Sequence, residues 1–185
     1  MADANTEVDL QALHEAIRSQ IAAAFPSFKT VEFYRDDEDE KMPTPACLLH
    51  MTEAEPAPEQ DAGTGQWPAL LRFEAHIIMA HRSDVTPIEI RKAATAVATW
   101  LHLRRWGPAT PTDPCAVIAC EPDEFAPNLD KFKVWRVEWV NMAMLGVSAW
   151  HNDGTIPDDA LYSWSPEIGI GHEDDYQYAT DGPTP

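Results

Sequence analysis

Cysteine, basic residues and long apolar runs are all scarce in this sequence, and each shortage excludes a class of protein. Its three cysteines, Cys47, Cys115 and Cys120, have no C-x-x-C spacing and lie in apolar, strand-like runs. They therefore predict neither a disulfide framework nor a zinc site. No apolar run approaches the ~20 residues that cross a bilayer, and the polar N-terminus MADANTEVDL is not a signal peptide. We expect a soluble chain, made in a reducing cytoplasm, with no membrane partner.

The shortage of basic residues leaves a strongly acidic chain. Thirteen Lys and Arg stand against 31 Asp and Glu, a net charge of −18. Residues 36–61 hold nine acids against Lys41 alone, and residues 148–185 hold eight acids with no Lys or Arg. A field of this sign repels nucleic-acid phosphates, so a surface that grips DNA or RNA is not expected. It still allows a surface that lies near DNA without binding it.

Apolar residues at spacings of three and four predict two amphipathic helices. The first covers residues 8–25 and stops at a proline. The second begins at Thr86, the expected N-cap, with Pro87 in the first helical position and Glu89 completing a capping box. It is expected to end near residue 106, before a Gly-Pro pair.

Alternating or β-branched runs predict five strands, and an acidic stretch rich in Pro and Gly, residues 53–66, predicts an exposed loop. The strands are expected at residues 29–35, 46–52, 69–82, 115–120 and 133–147. The element order αβββαββ predicts an α+β domain over residues 1–147, with two helices packed on one face of a mostly antiparallel sheet. Residues 148–185 are expected to form an extended C-terminal arm.

Signatures of enzymes are missing from the sequence, including G-x-G-x-x-G, G-x-x-x-x-G-K, G-x-S-x-G and H-E-x-x-H. IGIGH at 168–172 lacks the flanking strand and helix and is interpreted as flexible backbone. His76 and His81 point to opposite faces of one strand, and His50 joins them only if the strands align, so we interpret them as ordinary strand residues. Residues 36–40 lack the ligand pattern of a calcium loop. No catalytic residue, cofactor or metal site is predicted.

Candidate protein contacts come from one tryptophan and four cations. Trp67 lies at the rim of the acidic loop, where an exposed aromatic residue favours a protein interface. Arg91, Lys92, Arg104 and Arg105 lie along the second helix, the last two in its expected final turn. In so acidic a chain, the complement of this basic patch is another copy, which predicts head-to-tail association. The alternative is that these cations only solubilise the helix and favour its dipole.

The C-terminal arm combines acids with aromatic residues, which a purely solvating tail does not need. Trp150, Tyr162, Trp164 and Tyr176 are the residues that we expect to anchor it. Segments ordered by assembly can wrap a neighbouring subunit and bury aromatic side chains in its pockets. The arm is therefore predicted to contact an adjacent subunit or another protein.

From residue 8 to residue 147, the chain resembles the tail-terminator (tail-completion) proteins of long-tailed bacteriophages. The resemblance follows an ordered run of segments rather than a catalytic signature, and it does not extend to the arm. These segments are AAAFPSF, KTVEFYR, PACLLHMTEAEP, LRFEAHIIMAHR and IEIRKAATAVATWL.

This resemblance implies a structural virion protein of the tail and neck, not an enzyme. It implies a homo-hexameric ring that caps the tail tube protein, ends its polymerisation and joins the tail to the head-completion or connector protein. Genomic DNA would pass through without specific binding. Five acids are candidates for facing that channel, although an outward orientation is equally open: Asp36, Asp37, Glu38, Asp39 and Glu40.

Three other functions remain open at this stage. An acidic inhibitor that mimics DNA fits the net charge but not the basic patch. A small enzyme would require a deep pocket with convergent polar groups. A head-side connector or a tube subunit keeps the phage setting and changes only the position along the tail.

Overall fold

The computed structural model of this chain describes residues 7–35, 42–80, 86–123, 132–149 and 161–178. Contacts divide the chain into two compact units, residues 1–150 and 151–185. The helices and strands are α1 Leu10–Ala24, β1 Thr30–Phe33, β2 Ala46–Pro56, β3 Trp67–Ala80, α2 Thr86–Leu101, β4 Ala116–Pro122, β5 Phe132–Leu145, β6 Leu161–Tyr162 and β7 Gln177–Tyr178. No helix within these ranges is long and apolar enough to cross a membrane.

A five-stranded sheet, in the order β1-β2-β3-β5-β4, forms the centre of the first unit. Among the described strands, β1 and β2 pair in parallel, and the other three pairings of this sheet are antiparallel. The ladder between β3 and β5 is the longest, from Trp67 opposite Leu145 to Ala80 opposite Phe132. The predicted α+β class with a mostly antiparallel sheet and the order αβββαββ is confirmed.

Both helices cover the same face of the sheet, and the apolar core lies between the two layers. The ring planes of Phe73 on β3 and Trp139 on β5 stack with centroids 5.5 Å apart. Helical residues at spacings of three and four complete the core: Leu13, Ile17, Ile21, Ile90, Ala94, Val97 and Leu101. The apolar periodicity of the sequence thus identifies the buried side of each helix correctly.

Strand β2 is longer than the sequence predicts. Its expected end is residue 52, yet it pairs with β3 as far as Pro56, with a register shift between Met51 and Glu53. The bulge accommodates the extra residue, and hydrogen bonding to a long partner strand overrides the weak strand preference of Glu and Pro. The predicted loop 53–66 is reduced to residues 57–66.

Helix α2 ends earlier than expected, at Leu101 instead of near residue 106. Leu103 adopts a φ of +62°, in the left-handed region, which turns the chain out of the helix. The backbone then doubles back on itself, because Leu103 and Arg104 exchange hydrogen bonds with Cys115. Arg104 and Arg105 therefore follow the helix. The prediction that they lie in its last turn is wrong.

The second unit contains a two-stranded antiparallel sheet, β6 with β7. Between the strands the chain makes a 3-10 turn at Glu173–Asp175. The Tyr176 hydroxyl accepts a hydrogen bond from the Gly169 amide at 3.1 Å, which ties the middle of the loop to its end. The described part of the arm therefore has local structure that its composition did not predict.

Candidate interaction surfaces

The four basic residues of the α2 region have no carboxylate partner among the described residues. The Arg91 guanidinium lies 5.2 Å from the Trp135 ring centroid, and that of Arg104 lies 3.7 Å from the Trp100 centroid. Arg105 donates to the Thr112 carbonyl at 3.0 Å. These guanidinium groups use aromatic faces and backbone oxygens, which hold their orientation and leave their charge uncompensated.

Lys92 is the most available of these cations. It is exposed on α2, and its ammonium group has no polar partner within the part of the chain that the structure describes. It lines a shallow groove between the end of α1 and the exposed side of α2. The other lining residues are Ala24, Phe25, Thr95, Ala96, Thr99 and Trp100.

The groove is more apolar than its residue types suggest. The hydroxyls of Thr95 and Thr99 donate to helix carbonyls four residues earlier, at 2.7 and 2.8 Å. Phe25 and Trp100 meet edge to face, with centroids 5.7 Å apart. Because its hydroxyls are already satisfied, the groove presents small apolar groups and aromatic rings, with a charged ammonium group on its wall.

The opposite face of the sheet carries a network of charged side chains that the sequence did not reveal. Arg72 bonds Glu55 at 2.5 Å and Glu138 at 2.6 Å. Arg136 bonds Glu74 at 2.9 Å and also bonds Glu121. Here both arginines bridge neighbouring strands, and hydrogen bonding from Arg72 lowers the pKa of Glu55.

Acids outnumber cations on this open face. The two arginines stand among six carboxylates, and Glu138, which is only 8% exposed, bonds Arg72 and lies 3.6 Å from Arg136. The six are Glu53, Glu55, Glu74, Glu121, Asp123 and Glu138. The alternation of Arg72, Glu74 and His76 along β3 is visible in the sequence, but the pairing that gathers acids from four strands depends on the tertiary structure.

His50 and His76 lie closer together than the sequence alone indicates. The rings of His50 and His76 lie with centroids 5.4 Å apart, because β2 and β3 align. His76 contacts Asp123 through Nδ1 at 2.8 Å and Glu74 through Nε2 at 3.2 Å. Within the described residues, no group of three or more His, Cys, Asp or Glu is arranged to hold a metal ion. His81 lies outside those residues.

The three cysteines are free thiols. Burial raises the pKa of Cys47 to about 12 and that of Cys115 to about 11, so both stay protonated near neutral pH. Cys120 on β4 is only partly buried. The interpretation of these residues as small core hydrophobes fits Cys47 and Cys115 best.

Trp67 opens β3 at the end of the sheet and is 45% exposed. Val147, two residues after the end of β5, is also exposed. The structure therefore leaves Trp67 available for a partner, as an interface residue must be. It lies on the sheet end and is not one of the residues that line the α1–α2 groove.

The arm presents apolar side chains to solvent. Trp164 is 77% exposed and stands edge to face against the less exposed Tyr162. Tyr176 is half buried and holds Gly169, so its hydroxyl is engaged within the arm itself. Trp150 and residues 36–40 lie outside the described residues.

Sequence reasoning missed Ile170, whose side chain is 100% exposed. It stands between Gly169 and Gly171, with φ of +89° and +90°, conformations that favour glycine. The sequence alone indicates only flexible backbone for this Gly-Ile-Gly alternation. The available signal for an exposed apolar side chain is an isoleucine between two glycines in an acidic loop.

No family model and no curated protein matches this chain. Among solved structures, it is similar to a chain of the "Virion of native gene transfer agent (GTA) particle", with a TM-score of 0.45 and 14% sequence identity. The match covers 73% of this chain and 94% of that one.

Proposed function

We propose that this protein is a structural component of a phage-type virion, located where the tail meets the neck. Copies assemble into a homo-hexameric ring on the last ring of the tail tube. This ring ends tube polymerisation and offers its other side to the head-completion or connector protein. None of these roles requires a catalytic residue or a cofactor.

The separation of charge within one domain is the observation that carries this proposal. Among the described residues, the α2 side has four cations without carboxylate partners, while the charged network on the open sheet face holds six carboxylates and two arginines. A ring is built by a heterologous contact, in which one surface of each copy meets a different surface of the next. The α2 cations would repel one another in a symmetric contact and favour an acidic segment of the next copy, which leaves the sheet face free to line the channel.

The open sheet face also suits a position beside DNA. Its two arginines are already paired with carboxylates, so neither offers an uncompensated charge to a phosphate. Excess carboxylates repel the DNA backbone, and the duplex slides without being held. We assign this face to the channel. The position of the acidic run 36–40 relative to the channel remains a prediction from the sequence.

Oligomeric state and tail binding test the proposed function. Light scattering of the full chain is expected to give the mass of six copies, and electron microscopy a closed ring with a channel wide enough for duplex DNA. Added to polymerising tail tube protein, the ring should shorten the tubes as its ratio to tube protein rises. A chain that neither forms a ring, alone or on tubes, nor changes tube length would contradict the proposal.

An acidic mimic of DNA is the second candidate, favoured by the carboxylate-rich sheet face. Such a protein would remain monomeric or dimeric and bind a basic partner with a steep dependence on salt. The cations of α2 disfavour it, because they would repel that partner. The mass measured by light scattering separates the two functions, and a connector position would appear as binding to the head side with no effect on tube length.

A further inference from the structure

The α1–α2 groove and the C-terminal arm are complementary in charge. Lys92 lies at one end of the groove, and Arg104 covers Trp100 at the other, about 12 Å away along the helix. Neither has a carboxylate partner among the described residues, although the chain has 31 acids. Residues 161–178 have four acids and no Lys or Arg.

The two surfaces are also complementary in polarity. The groove offers alanine and threonine methyl groups beside Phe25 and Trp100. The arm projects Trp164 and Ile170, two of the most exposed large apolar side chains among the described residues. An interface usually has apolar anchors inside and charges around them. The arm supplies exposed apolar groups on an acidic segment, and the groove supplies an apolar surface rimmed by cations.

We propose that the arm of one copy binds the α1–α2 groove of a second copy. Trp164 and Ile170 insert among Ala96, Thr99 and Trp100, and the carboxylates of residues 173–175 approach Lys92. The β6–β7 pair and the bond from Gly169 to Tyr176 shape the arm before it binds, which reduces the entropy lost on docking.

This inference specifies the self-association on which the proposed ring depends. Arm and groove are different surfaces, so the contact is heterologous and leaves a free arm and a free groove at the ends of any open chain of copies. Such contacts continue until a ring closes. The inference does not depend on tail capping, and the two can therefore fail separately.

Two full-length variants test the contact. Lys92→Glu reverses the charge in the groove, and the double variant Trp164→Ala with Ile170→Ala removes the anchors of the arm. All three residues are exposed, so unfolding midpoints in urea should match the wild type at concentrations too low for association. Lys133→Glu, the same change of charge at an exposed residue of β5 outside the groove lining, is the control.

Each variant alone should associate about thirtyfold more weakly than the wild type, the effect of losing an interface anchor, while Lys133→Glu should associate normally. An equimolar mixture of the groove variant and the arm variant should give a two-chain species by light scattering. Each such pair keeps one intact arm and one intact groove, which is enough for a dimer and not for a ring.

Three results with these full-length proteins would overturn the inference: a wild-type chain that stays monomeric at every concentration, variants that associate normally, or a mixture that stays monomeric. The last result would mean that the arm binds its own groove or another protein. A ring formed by a chain that ends at residue 150 would also overturn it and would leave the proposed function standing. Arm-dependent oligomers that never bind tail tubes would contradict the function and not the contact.

Discussion

The Trp106 indole nitrogen donates a hydrogen bond to the Asn141 side-chain oxygen at 3.2 Å, in the interior of the domain. Asn141 has no exposed surface, and its amide donates in turn to the Asp113 carbonyl at 2.9 Å. One buried amide on β5 thus bonds both ends of the segment that connects α2 to β4. A buried polar group of this kind is stable only when each partner is in place.

Replacing that amide should destabilise the domain. Asn141→Leu leaves the Trp106 N–H and the Asp113 carbonyl without partners, and we expect a loss of about 2–4 kcal/mol in the free energy of unfolding, measured in urea. Trp106→Phe removes the donor. In a double-mutant cycle, the two changes together should cost less than their sum. Additive effects would show that the hydrogen bond contributes nothing.

Acid should weaken the charged network on the sheet. Hydrogen bonding from Arg72 lowers the pKa of Glu55 in the folded state, so this bond stabilises the fold above the ordinary carboxyl pKa. Stability should fall as the pH drops below about 4.3 and through the lowered folded value. Arg72→Met should be less stable at pH 7 and should have a flatter decline in acid.

Arg18→Met is the matched control for that experiment. Arg18 pairs with Glu15 on the surface of α1 and lowers its pKa in the same way, but within one helix. Its removal should cost less at pH 7 than removal of Arg72, which bridges β2, β3 and β5. An equal loss for both variants would contradict a special role for the bridge.

Thiol labelling should distinguish the three cysteines. At pH 8 in the native state, Cys120 should react first, because Cys47 and Cys115 are buried and burial holds their pKa at about 12 and about 11. Mass spectrometry of the labelled peptides identifies the site. Cys120→Ser should remove the fast phase. Rapid labelling of Cys47 in that variant would show that the core opens more readily than its packing implies.

Charge reversal on the sheet face tests its proposed place beside DNA. Glu53→Lys with Glu121→Lys adds two cations to the face, and the variant should retain short duplex DNA in a gel-shift assay at low salt. The wild-type protein should not. Glu15→Lys with Glu59→Lys makes the same change in net charge away from the face and should bind less DNA. Equal DNA binding by both variants would mean that net charge alone, and not its position on the sheet face, determines binding.

Apolar periodicity and the Pro and Gly residues that end elements were sufficient to predict the element order and the buried sides of both helices. Leu13, Ile17 and Ile21 are separated by one helical turn each, and apolar residues two apart line one side of β3. Such local spacings decide which face of an element is apolar whatever packs against it. The α+β class follows, because two amphipathic helices need one apolar sheet face to cover.

Contacts between distant segments needed the tertiary structure. The extension of β2 to Pro56 depends on pairing with β3, and the early end of α2 depends on the backbone bonds that Leu103 and Arg104 make with Cys115. Local propensity cannot predict either of these two boundaries. Candidate cations were visible in the sequence, but their lack of carboxylate partners, and the paired arginines on the opposite face, depend on which strands meet.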